Sequence, residues 1–397
     1  MRILQVSHRV PWPLNEGGTI GIYNYTRGFS ELGCDVTLFA LAARKHKINI
    51  VEAQSELSKY ARVHIYSINT DVKPIPALLN LFSSASYNVE RFYDPSFDEA
   101  LQNELNENSY DVIQIEGTFA AVYSETVFRH KGNAKVILRQ HNVEYQIWER
   151  IAATTTNPLK KWYLNLLSKR LKDFEKKHLN QYDALVPVTP DDGQLFQALG
   201  CTIPVYDSPA GIDIEVWKPS IKSNALHMYH MGSLEWMPNL DAVEWFSEEI
   251  WPRIHSSVPE AACYIAGKGM PEEMKSRRIE GMHFIGEVDS APEFIKAMGI
   301  SIVPLRSGSG IRLKILEAMA AGKAVVSTTI GAQGIHYSDK KNIWIADTPK
   351  AFSQAVIDLI TNDGIRLEMQ QEARKLIESQ YSNQSVVKRL IDFYESL

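Results

Sequence analysis

Short runs of β-forming residues alternate with helix-length amphipathic stretches along all 397 residues of this chain. That alternation constrains the fold most, because strands interleaved with helices build parallel sheets covered by helices on both faces. Strand-like runs fall at 2–6, 35–40, 63–67, 112–116, 135–139, 184–188 and 205–208, with helical periodicity at 20–32 and 97–106. A second series has runs at 225–231, 262–266, 282–285, 299–304, 324–328 and 343–346, with helices at 240–255, 290–297, 312–321 and 353–362. Residues 209–224 carry two prolines and no periodicity, and read as a linker. The expected architecture is α/β, two doubly wound Rossmann-like domains facing a central cleft. The first spans 1–208 and is completed by a C-terminal helix at 383–397; the second spans 225–382. A length near 400 residues suits two such cores. In open parallel sheets ligands sit beyond the carboxyl ends of the strands, so functional residues are expected just after strands.

Composition narrows the function. A net charge of −5 gives no electrostatic basis for nucleic-acid binding. Cys34, Cys201 and Cys263 are few, odd in number and scattered, which fits a reducing compartment rather than a disulfide framework. The N-terminal residues lack a signal-peptide pattern, and no apolar run approaches the ~20 residues of a membrane span. The expectation is a cytoplasmic protein. No Gly-x-Gly-x-x-Gly follows the first strand, which argues against a dinucleotide-dependent oxidoreductase. No Asp-x-Asp pair or His/Cys cluster stands at a strand end, so neither a metal nor another cofactor is expected.

The segment after the run 299–304 reads Leu305-Arg306-Ser307-Gly308-Ser309-Gly310-Ile311-Arg312 and opens into a helix. Glycines permit close backbone approach, and unpaired helix N–H groups with the dipole's positive end suit a phosphate. Arg306, Arg312 and Lys314 add cations at the same point, and Glu317 lies where a carboxylate can accept from ribose hydroxyls. The same residues would also make a plain strand–helix turn.

The string Pro304-Leu305-Arg306…Leu316-Glu317-Ala318-Met319-Ala320-Ala321-Gly322 resembles the donor-binding signature of retaining glycosyltransferases of the GT-B fold, family 4. The resemblance extends to Arg2–Ser7 with Gly17-Gly18, to Ala210-Gly211-Ile212-Asp213 and to Tyr229-His230-Met231-Gly232-Ser233. It continues through Tyr264-Ile265-Ala266-Gly267-Lys268-Gly269 and Phe284-Ile285-Gly286-Glu287-Val288. It implies transfer of a sugar from a nucleotide-diphosphate donor to a glycan, lipid-linked or small-molecule hydroxyl, with retention and without a metal. Glu317 would hold the ribose. The family's preceding glutamate is replaced by Ser309, and its arginine–lysine pair early in the second domain is absent, so Arg306, Arg312 or Lys314 would supply the diphosphate charge. Ser309 and Arg306 are taken as catalytic, with Ser307, Gly308, Gly310 and Ile311 forming the loop. Gly232 and Gly267 would line the donor, Glu287 and Val288 would grip the base, and Gly17 and Gly18 would face the phosphate. By the same resemblance His141 contacts the donor sugar, as a catalytic residue. Asn142 lies beside it, and Glu144 orients His141 or meets an acceptor hydroxyl. Glu116, after the run 112–116, is a further substrate-binding candidate.

Two segments bear on the acceptor. Residues 74–93 are apolar, suiting a lipid-linked acceptor or simply a core. Residues 160–178 are basic and amphipathic, suiting an anionic membrane face or a solvated helix surface. A nucleotide-sugar epimerase of the same architecture and a non-catalytic nucleotide-sugar-binding subunit are the alternatives the sequence leaves open.

Overall fold

The computed structural model describes residues 1–14, 17–71, 80, 85–220, 223–308 and 310–397. The chain forms two compact units, Met1–Gly211 with Val386–Leu397, and Ile212–Ser385. The second unit thus begins before residue 225: Ile212 is buried among its apolar residues and pairs with Ser382, so residues 212–220 belong to that unit rather than to a free linker.

The first unit holds β1 (Arg2–Ser7), β2 (Asp35–Ala43), β3 (Arg62–Ile68), β4 (Val112–Glu116), β5 (Lys135–Gln140) and β6 (Ala184–Pro187). They pair in parallel in the order β3-β2-β1-β4-β5-β6. The second holds β7 (Asn224–Met231), β8 (Ala262–Ala266), β9 (Met282–Gly286), β10 (Met298–Val303), β11 (Ala324–Ser327) and β12 (Trp344–Ile345), ordered β12-β11-β10-β7-β8-β9. Each order is that of a doubly wound Rossmann sheet, whose direction reverses between β1 and β4 and between β7 and β10.

Strand alternation explains the cores. In the first sheet Leu4, Val6, Ile113, Ile115, Val136 and Leu138 point to one face and join a large apolar cluster. The other face carries Ile3, Val112 and Ile137, covered by Tyr25 and Phe29 and by Val386, Leu390 and Tyr394 of the last helix, Asn383–Glu395. That second face turns polar toward the carboxyl ends, with Gln5 opposite Gln114, Ser7 opposite Glu116, and Glu116 opposite Arg139.

Three local expectations differ from the structure. The helix expected over 240–255 is divided into Met237–Trp245, a π turn Phe246–Ile250, and Trp251–Ser257. Pro252 has no N–H to donate within a continuous helix, which favours the break. The run 205–208 forms no full strand; Val205 makes a single bridge to Leu185. The helix expected over 20–32 begins earlier, with Gly17 and Gly18 as the first residues of helix Gly17–Glu31.

Candidate functional site

In the first unit a polar cluster is built at the carboxyl ends of β1, β4 and β5. Glu116 is completely buried and accepts from Gln5 Nε2 (3.2 Å), Gln114 Nε2, Arg139 (3.0 Å) and His141 Nε2 (2.7 Å). Arg139 is itself buried, its guanidinium 4.1 Å from the centre of the Tyr25 ring. Burial would raise the Glu116 carboxyl, but the Arg139 charge and the His141 hydrogen bond hold it down at about 2. Glu116 is therefore ionised and completely enclosed by protein groups. Arg139 also approaches His141 Nε2 at 2.9 Å, so Glu116 and Arg139 together hold the imidazole in place. Burial and the neighbouring Arg139 lower the His141 pKa despite Glu116, so the ring is neutral near pH 7.

His8, at the end of β1, escaped the sequence reading. Its Nδ1–H donates to the Glu116 carbonyl (2.8 Å), and its Nε2 accepts from Arg9 Nε (3.1 Å). Burial, with Arg9 and His141 nearby, depresses it to about 3. Its signal was available, as a polar residue ending the strand at which the sheet reverses. Glu175 also went unnoticed. It reaches from helix Pro158–His178 to accept from the backbone N–H of Glu144 (3.2 Å) and Tyr145 (3.3 Å) and from Thr118 Oγ1 (2.9 Å), capping helix Glu144–Thr154. Glu144, expected near His141, instead heads that helix and accepts from exposed Asn142 (3.2 Å). Gly17 is open to solvent, whereas a Cβ on Gly18 would sit 3.0 Å from the Arg9 guanidinium.

In the second unit the corresponding reversal lies between β7 and β10. Lys314, in helix Leu313–Ala320, donates to Asn239 Oδ1 (2.7 Å), and Asn239 donates to the Ser233 carbonyl (2.8 Å). A Cβ at Gly232 would fall 2.5 Å from Lys314 Nζ and 2.8 Å from Asn239 Nδ2, so only glycine lets the lysine lie over the end of β7. Gly267 packs on the Gly232 carbonyl, where a Cβ would come within 1.8 Å. Burial and the Arg312 charge lower Lys314 to about 7, while burial raises Glu317, one turn further along, to about 7. The Glu317 carboxyl has no hydrogen-bond or ion-pair partner among the described residues. Among the described residues no side chain caps the helix N-terminus.

The remaining loop residues divide. Arg312 lies over the Trp236 ring at 5.3 Å and donates to the Gly310 carbonyl (2.7 Å), with Gly308 packed against both side chains. Ile311 is half-buried against the apolar core, and Ser307 is exposed. Arg306 forms a bidentate ion pair with Asp241, its Nε at 3.0 Å, beside Trp245, so its charge is already matched. Ser309 lies outside the described residues, as do residues 74–79 and 81–84 of the apolar segment. Exposed Glu287 and half-buried Val288 follow β9 at the sheet edge, and no described contact joins them to Lys314.

A family model described as Glycosyltransferase Family 4 matches residues 16–216, just over half of the chain. The chain belongs to glycosyltransferase family 4. A second model, Glycosyl transferases group 1, matches 226–362, so Glu116, Arg139 and His141 lie in the first matched segment and Lys314 and Glu317 in the second. This glycosyltransferase is 24% identical to an uncharacterized 44.6 kDa protein in the cps region of Klebsiella pneumoniae, over 97% of both chains. Among solved structures it superposes on Anabaena HepE in complex with UDP, with a TM-score of 0.68 at 12% identity over the whole of both chains. TarM gives a TM-score of 0.69 at 12% identity, over 99% of this chain and 98% of that one. These likenesses show the GT-B fold. The protein is therefore a glycosyltransferase, an enzyme that transfers a sugar.

Proposed function

We propose that this enzyme takes its sugar from a nucleoside diphosphate donor held by the second unit, and passes it with retention to a hydroxyl of a glycan or lipid-linked acceptor. The observation that carries the reading is the pairing of a half-buried lysine with a partnerless carboxylate on one uncapped helix. Lys314 and the first N–H groups of Leu313–Ala320 are placed for a diphosphate, and Glu317, one turn on, for ribose hydroxyls. When the bond from the anomeric carbon to the diphosphate oxygen breaks, negative charge gathers on that oxygen. Fixed N–H groups and the Lys314 ammonium stabilise this charge without a metal ion. Arg312 is the second candidate cation; Arg306 is the weakest of the three, because Asp241 already neutralises it. In the first unit, neutral His141 is the candidate to meet a hydroxyl of the sugar. Anabaena HepE, of the same fold, binds UDP and UDP-glucose, which supports a nucleotide-sugar donor. The three free cysteines suit a cytoplasmic setting.

A thermal-shift panel of nucleoside diphosphates and nucleotide sugars tests the reading, because a ligand bound to the native state raises its melting temperature. At least one nucleoside diphosphate should raise it, and Glu317→Ala should abolish the rise at the same concentration. An unresponsive wild-type enzyme, or a variant that responds like wild type, would remove the assignment.

A further inference from the structure

The helix Pro158–His178 carries two stripes at helical spacing, and only one is used for packing. The inner stripe, Leu164, Leu167 and Leu171, is buried, and the helix is fastened to its neighbour Glu144–Thr154 by Ser168 Oγ on the Tyr145 carbonyl (3.0 Å) and by the Glu175 cap. The outer stripe lies on the opposite side of the helix. It begins with Leu159 (80% exposed), Trp162 (59% exposed) and half-buried Leu166, and continues through exposed Lys169 and Lys176. Lys160 and Lys161 flank the apolar end, and Asp173 is the acidic residue on the stripe. A tryptophan and a leucine standing in water, one turn apart and ringed by lysines, need an explanation in a chain whose net charge is −5.

We propose that this outer face docks the enzyme on an anionic lipid surface, with Leu159 and Trp162 entering the headgroup–acyl boundary and the lysines meeting lipid phosphates. Charge complementarity selects that occupant. An apolar patch with basic flanks on an amphipathic helix gains from both burial and the negative surface potential of acidic lipids. Indole suits the interface, where its ring meets acyl chains and its N–H meets water. A second copy of the chain fits less well, because a two-fold contact through this face would set its lysines against themselves. The helix has acidic and basic residues among its 21 and cannot cross a membrane; no helix among the described residues is long and apolar enough to do so. Docking is therefore peripheral, and it is independent of the donor reading above.

The test is co-sedimentation of the full chain with vesicles of phosphatidylcholine alone and of phosphatidylcholine mixed with phosphatidylglycerol. The enzyme should bind the mixed vesicles, not the neutral ones, and added salt should release it. Lys169→Ala/Lys176→Ala should weaken binding about fivefold for each lysine removed. Leu159→Ser/Trp162→Ser should weaken it at least about tenfold. All four side chains are exposed, so unchanged circular dichroism and melting temperature will confirm that the variants fold. Absence of binding to acidic vesicles, equal binding to neutral ones, or variants that bind like wild type would overturn the proposal. So would a dimer in size-exclusion chromatography that Leu159→Ser/Trp162→Ser converts to monomer.

Discussion

Replacing Lys314 by methionine keeps the apolar stem of the side chain and removes its charged end, and the structure specifies what should follow. In the free enzyme the lysine sits at about 7 and Glu317 also at about 7, each raising or lowering the other through its charge. A diphosphate favours charged Lys314, and ribose hydroxyls favour ionised Glu317. The first requirement fails as pH rises through about 7, and the second as pH falls through it. The doubly competent fraction is then greatest near pH 7, and for two independent groups it falls roughly threefold by about pH 6 and about pH 8. Isothermal titration of a nucleoside diphosphate across this range should return that shallow bell. In Glu317→Gln the acid limb should vanish. The alkaline limb should move lower, because the carboxylate no longer supports the lysine charge, leaving a steady loss of more than about tenfold between about pH 6 and about pH 8. In Lys314→Met affinity at pH 7 should fall about 10- to 100-fold, the worth of one charged hydrogen bond of about 1.5–3 kcal/mol. Measurement in buffers of different ionisation enthalpy should also show proton uptake by the wild-type enzyme on the alkaline side, absent in Lys314→Met. A methionine variant within twofold of wild type, with the same pH profile, would refute the placement of the diphosphate.

Two further predictions concern stability. Glu116→Gln leaves Arg139 buried opposite a neutral amide, which should cost about 3–5 kcal/mol in urea unfolding at neutral pH. Because the native carboxyl lies at about 2, against an ordinary 4.5, its contribution is full above pH 4.5 and is lost as pH falls toward 2. The gap between variant and wild type should therefore close on acidification; a gap independent of pH would contradict the ion-pair reading. Glu175 behaves oppositely. Burial raises it to about 7, so the native state keeps its proton longer than the unfolded chain, and its contribution, full below pH 4.5, is lost as pH rises toward 7. Glu175→Gln, which keeps an acceptor for the capped N–H groups, should gain stability relative to wild type between pH 5 and pH 8 in thermal melts. A loss at pH 8 would show that the cap needs a charged carboxylate.

The sequence by itself determined the β/α alternation and thus two doubly wound units, because side-chain period and strand length are local properties readable within a few residues. It also determined the loop that leads into the Leu313–Ala320 helix, since glycines, cations and a following helix are contiguous there. What each charged residue does with its charge was decided elsewhere. Arg306 and Arg312 stand six residues apart and look equivalent, yet Asp241 takes the first while the second lies over Trp236. Glu116 ends its strand like a ligand-binding residue, but the parallel register sets it opposite Arg139, within reach of Gln5 and His141, and so buries it as a support. Glu175 caps a helix that begins 31 residues before it. Tyr394 reaches Gln114 across 280 residues, because the last helix covers the polar face of the first sheet. These partners depend on strand order and register, which bring distant segments together only once both sheets are assembled; no short-range pattern encodes them.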